Sequence, residues 1–96
     1  MFPPFIRHSD TSRLAAISVL DSARTWRAKV YRYIREAGVN GVTDDEIQRG
    51  LGLNPSTQRP RRVELVELGV IADSLDRRRT PSGRLAVVWV AIARRV

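Results

Sequence analysis

The sequence predicts an α+β fold in which helices come first and an antiparallel β-hairpin closes the chain. Three observations predict it. Apolar residues recur at helical spacing between positions 23 and 37, and Thr43-Asp44-Asp45-Glu46 has the S/T-x-x-E pattern that opens a helix. Residues 85–93 then form an unbroken apolar run containing Val87, Val88, Trp89, Val90 and Ile92, set off by the turn signal Pro81-Ser82-Gly83. A chain of 96 residues has room for one modest core.

Taken in order, residues 1–9 read as an arm, because Pro3-Pro4 blocks regular structure and the polar His8-Ser9 follows. Asp10 can cap a short accessory helix within 10–21, where Leu14, Ile17 and Leu20 stand three apart. Residues 22–94 hold the main domain. Ser22 can cap a helix over 23–37, with Ala23, Trp26, Val30, Tyr33, Ile34 and Ala37 inside one arc of about 100° and Gly38 as its stop. The Thr43 box opens a helix over 44–50 in which Ile47 and Leu51 are one turn apart. Gly52 permits a tight turn, and Asn54-Pro55 or Ser56 starts the next helix, which ends at Gly69. Pro60 would cost about 3 kcal/mol deep inside a helix, so the regular part is expected to start late, near Thr57–Arg59. Val63, Leu65 or Val66, and Leu68 then give its core face. Val70-Ile71 begins a strand over about 71–74 that pairs antiparallel with 86–92, with the polar, basic stretch 75–84 as the loop between them. The expected core is Trp26, Val30, Ile34, Ile47, Leu51, Leu65, Leu68 and Ile71.

Charge narrows the function. Seventeen basic residues, sixteen of them arginine, oppose ten acidic ones for a net +7. Residues 1–53 carry a net +2 and residues 54–96 a net +5, so the basic half is the one with the last helix and the hairpin. Arginine suits bidentate contacts to phosphate and guanine, which points to a polyanion partner. Without cysteine there is no disulfide framework, no thiolate chemistry and no zinc finger. The sequence lacks G-x-x-x-x-G-K-[ST], G-x-S-x-G and any His/Cys cluster. Its single histidine, His8, falls in the arm, and Asp44, Asp45 and Glu46 are accounted for by helix capping and the helix dipole. No enzyme, no cofactor and no metal are expected. No apolar run approaches the ~18–20 residues of a membrane span, and Met1–Ile6 is too short and proline-rich for a signal peptide. An intracellular protein without membrane partners is the expectation.

The segment from Glu46 to Ile71 reads E-I-Q-R-G-L-G-L-N-P-S-T-Q-R-P-R-R-V-E-L-V-E-L-G-V-I. Without a gap it resembles the helix-turn-helix of winged-helix DNA-binding proteins. The resemblance is carried by Glu46, Ile47, Leu51, Gly52, Leu53, Ser56, Thr57, Leu65, Gly69 and Ile71. The hairpin with its basic loop falls where that family has its wing, and the closing R-R-R-T-P-S-G-R-L-A-V-V-W-V also resembles small phage-encoded winged-helix proteins of high-GC hosts. The resemblance implies a winged helix-turn-helix fold of three main helices and a hairpin wing, preceded here by the extra short helix. It implies a double-stranded DNA partner, a role in transcription regulation and, for a phage or mobile element, the cytoplasm of a bacterial host. Gln58 and Arg62 depart from the pattern, because they stand where the family usually has apolar, core-facing residues.

An α-helix fits the major groove when its outward residues can reach bases and phosphates. On the candidate recognition helix these are Ser56, Thr57, Gln58, Arg59, Arg61 and Arg62, with serine and threonine suited to phosphate, glutamine to adenine and arginine to guanine. Arg62 is the one expected to be partly buried or paired with an acid. On the candidate wing they are Arg77, Arg78, Arg79, Thr80, Ser82 and Arg84, whose clustered charge calls for an anion. A further basic stripe of Arg24, Arg27 and Arg35 with Tyr31, opposite Trp26 and Ile34, reads first as a solvated face. Two other uses of the same surface stay open: a DNA-architecture or replication and recombination accessory with little base readout, or protein docking, for example on polymerase. Met1, Phe2, Phe5, Ile6, Leu14, Ile17 and Leu20 offer apolar surface that either covers the domain's own core or forms a two-fold homodimer contact.

Overall fold

A computed structural model describes residues 25–92. The arm, the accessory helix and the apolar segment assigned to a possible dimer contact lie outside the described residues. The described part is α+β: helix α1 (Trp26–Ala37), a 3₁₀ turn (Gly38–Asn40), helix α2 (Asp44–Leu51), helix α3 (Pro55–Glu67) and the antiparallel strands β1 (Ile71–Arg79) and β2 (Leu85–Ala91).

Each helix begins at a side-chain cap that the local sequence supplies. Thr25, rather than Ser22, caps α1: its hydroxyl accepts from the Ala28 N–H at 3.2 Å. Thr43 and Glu46 form the expected capping box on α2, with bonds of 3.1 and 3.0 Å, and Gly52 ends that helix in the left-handed region. Asn54 caps α3 by accepting from the Thr57 N–H at 2.9 Å, with Pro55 in the first helical position. The late start expected for α3 is therefore corrected. Pro60 sits inside the helix, and the Asn54 cap together with Pro55 holds the turn before it.

Val30 and Ile34 from α1, Ile47 from α2, Leu65 from α3, and Val70 and Ile71 at the start of β1 are buried together with Ala28, Tyr31 and Val42. Leu51, Leu53 and Trp89 pack half-buried against them. Two expected core residues stand outside: Trp26 is 42% exposed, with the Lys29 ammonium over its ring, and Leu68 is 38% exposed at the end of α3. Trp26 lies in the first turn of α1, in a shallow pocket with Arg61 and Glu64 of α3. Val63 and Val66 are exposed too, so Leu65 alone supplies the apolar core face of α3, beside a buried Gln58. Tyr31 is buried, which removes it from the basic stripe on α1 and leaves Arg32, Arg35 and Glu36 on the open face.

The hairpin pairs Ile71 with Ala91 and runs out to Arg79 opposite Leu85, so the basic loop expected over 75–84 is corrected: β1 resumes pairing beyond a bulge and Arg77, Arg78 and Arg79 are strand residues. Val42, just before α2, pairs with Trp89 on the other edge of β2, donating to its carbonyl at 3.0 Å and accepting from its N–H at 2.7 Å. This bridge ties the hairpin to the helices. Between Asp73 and Arg77 the strand bulges, and Leu75 there has φ 75 and is 83% exposed. Among the described residues no helix is long and apolar enough to cross a membrane.

Candidate functional site

The turn after α2 sets α3 against it, and the hairpin brings its tip to the same end of the molecule. The result is a cleft of about 420 Å³ lined by Asp44, Asp45 and Gln48 from α2, Arg59 from α3, and Thr80, Ser82, Arg84, Leu85 and Ala86 from the hairpin. At the tip the Gly83 N–H donates to the Thr80 carbonyl and the Thr80 N–H to the Arg84 carbonyl, both at 2.8 Å. Gly83 has φ 88, so the turn uses a glycine where a left-handed residue is required. The Thr80 and Ser82 hydroxyls are bonded to one another at 2.9 Å.

The carboxylates in the cleft are already neutralised. Asp44 is paired with Arg62 at 2.8 Å, and Asp45 with Arg49 at 2.8 Å. Arg59 and Arg84 are exposed and, among the described residues, make no ion pair. The cleft therefore presents two uncompensated guanidinium groups and a pair of hydroxyls, a donor-rich surface suited to phosphate or to the acceptor edge of guanine.

The remaining candidate residues divide by what already holds them. Gln58 is fully buried: its amide donates to Asp44 at 2.9 Å and accepts from Gln48 at 2.8 Å, so it faces α2 instead of solvent. Arg62 points the same way, lying 4.5 Å from the Trp89 ring centroid while it holds Asp44 through Nε and Nη2, as expected of it. Arg61 forms a two-pronged pair with Glu64 at 2.9 and 2.7 Å, and its hydrogen bonds hold the Glu64 carboxyl below the ordinary range. Ser56 is exposed but donates to the Asn54 side chain, and Thr57 is half-buried. Comparison with family models, with curated proteins and with solved structures found no match.

On the hairpin, Arg78 turns inward. It reaches Glu46 at 2.7 Å and the Asn40 carbonyl at 2.7 Å, binding β1 to the α2 N-terminus. Arg77 folds back on Asp73 at 3.1 Å and on the Asp76 carbonyl at 2.8 Å. Arg79 donates to the Gly83 carbonyl at 2.8 Å and has no acidic partner among the described residues. Of the basic residues named on α3 and the hairpin, Arg59, Arg79 and Arg84 are thus the ones that make no ion pair among the described residues. Two residues on the outward face of α3, Pro60 and Val63, are not among the sequence candidates, because Val63 is expected on the core face and Pro60 bears only on where the helix can start.

Proposed function

We propose that this chain is a winged-helix module that binds double-stranded DNA sequence-specifically and acts as a transcriptional regulator of phage or mobile-element origin, in the cytoplasm of a bacterial host. The reading takes α3 as the recognition helix and the hairpin as the wing, and it assigns the protein no catalytic step, cofactor or metal. The observation that carries it is the cleft lined by both Arg59 of α3 and Arg84 of the hairpin tip, which have no acidic partner among the described residues, while every carboxylate lining that cleft has its own arginine. Leaving two guanidinium groups uncompensated in one concavity favours an anionic partner. Seven arginines against four acids over residues 55–91, a net +3, extend the same field across α3 and the hairpin.

One observation favours the architectural alternative. Three of the six candidate base-reading residues, Gln58, Arg61 and Arg62, are occupied inside the fold, which narrows direct readout. Selection of bound duplexes from a random library at about 150 mM salt separates the two readings. The proposal expects an enriched site, with Arg59→Ala losing affinity mainly for that site and Arg84→Ala losing it on selected and scrambled duplexes alike. Equal losses on both duplexes for both variants would establish the architectural reading. No measurable binding to any duplex would leave protein docking in its place.

A further inference from the structure

Helix α3 turns two apolar residues outward beside its uncompensated arginine. Ser56, Arg59, Pro60, Val63 and Glu67 are all exposed, and at 3.6 residues per turn they share an arc of about 100° opposite the buried Leu65. Folding gives Pro60 and Val63 no evident reason to be there. Proline and a β-branched residue are poorer helix formers than the straight-chain residues that usually fill an outward face, and neither reaches the core. Within this stripe the sole cation is Arg59, and the sole acid is Glu67 at the far end.

A guanidinium next to an apolar surface matches two features of the major-groove edge. Guanine offers N7 and O6 as paired acceptors, and thymine offers a 5-methyl group with no polar demand. Resting on the DNA reading above, we propose that α3 recognises a guanine through Arg59 and a neighbouring thymine methyl through Pro60 and Val63. Arg59 and Val63 are four residues apart, a rise of about 6 Å along the helix. That spans nearly two base steps of about 3.4 Å, so the guanine and the thymine stand one or two steps apart. With Gln58 buried, no adenine-reading amide contributes on this helix.

The test compares the selected duplex with the same duplex carrying deoxyuridine for thymine, which removes the methyl groups and nothing else. Full-length protein should bind the deoxyuridine duplex about four-fold more weakly for each contacted thymine, the worth of one buried methyl. Val63→Ala, with its fold checked by circular dichroism, should shrink that difference, Pro60 keeping part of it, while still preferring the selected duplex to a scrambled one through Arg59. Equal binding of both duplexes by the full-length protein overturns the inference and leaves the DNA reading intact. So does a Val63→Ala variant that keeps the whole difference, or a selected site without a thymine within two steps of a guanine. Binding without any preference removes base reading altogether, and binding to no duplex removes the DNA reading and this inference together.

Discussion

Asp44 accepts from the buried Gln58 amide at 2.9 Å and from Arg62 at 2.8 Å, so one carboxylate satisfies two polar groups that α3 sends toward α2. Replacing it with alanine strands a fully buried amide and a half-buried guanidinium. Asp44→Ala should therefore lower stability by about 1–3 kcal/mol in urea titration, the usual penalty for an unmet buried polar group. A Gln58→Leu, Asp44→Ala double variant should lose less than the sum of the two single changes, because each removes the other's partner. Strict additivity would show that the two side chains are not coupled. The positions were visible in the sequence as polar residues in slots that winged-helix sequences usually fill with apolar ones, and Arg61 with Glu64 has the i, i+3 spacing of a helical ion pair. Arg62 meets the expectation of partial burial or an acidic partner, but the inward turn of Gln58 could not be read, since periodicity treats a polar residue as exposed whether or not a partner waits across the interface. Arg78 is the extreme case: its acid, Glu46, is 32 positions away. At the bulge, the Leu75 N–H and then Arg77 hold Asp73 below its ordinary pKa. A depressed carboxylate makes its bonds fully above the unfolded value near 3.9, and loses them as pH falls through the lower folded value. The Leu75 amide resonance should accordingly titrate with a midpoint below about 3.9. A midpoint at or above that value would mean the bond does not persist in solution.

Two backbone positions set how the hairpin meets the helices. Gly41 has φ 66 and ψ −179, a region essentially reserved for glycine, and a Cβ there would stand 2.7 Å from the Trp89 carbonyl oxygen. Gly41→Ala should cost about 1–3 kcal/mol and weaken the Val42–Trp89 bridge, read as faster amide exchange at Val42. Leu75 is the opposite case, a non-glycine residue at φ 75 with its side chain in solvent. Leu75→Gly should leave stability unchanged or raise it by up to about 1 kcal/mol, as left-handed strain is relieved against added unfolded-state entropy. A larger loss would mean that the leucine has a partner in solution. At this scale the sequence was most informative where signals are local. The capping box, the Gly52 stop, the Asn54-Pro55 opening and the return of the strand at 71–74 through the apolar run can all be traced to adjacent residues, whereas the polar stretch that extends β1 to Arg79 reads locally as loop. The bulge, the Val42 bridge and the length of α3 through Pro60 depend on tertiary contacts that a residue-by-residue pattern does not contain.

For the whole molecule, the count of seventeen basic residues overstates the charges free to meet a partner, and the net +7 already sets the ten acids against them. Among the described residues Arg27, Arg49, Arg61, Arg62, Arg77 and Arg78 are each within ion-pair distance of an acid, so much of the positive charge is internally compensated. On the proposed DNA reading, Arg79 and Arg84 of the hairpin each neutralise one phosphate, whereas Arg59 addresses a base edge. Counterion release contributes about 0.9 per neutralised phosphate to the slope of log K against log salt. The hairpin of one copy should then account for a slope of about −2, and two copies on a two-fold site for about −4. Binding isotherms at four salt concentrations give the slope, and sedimentation of the complex gives the number of chains. Arg79→Ala with Arg84→Ala should remove the hairpin's share, about two units per bound chain, at whatever stoichiometry is found. A double variant with an unchanged slope would show that the hairpin does not touch the backbone. The salt dependence would then have to come from basic residues outside the hairpin.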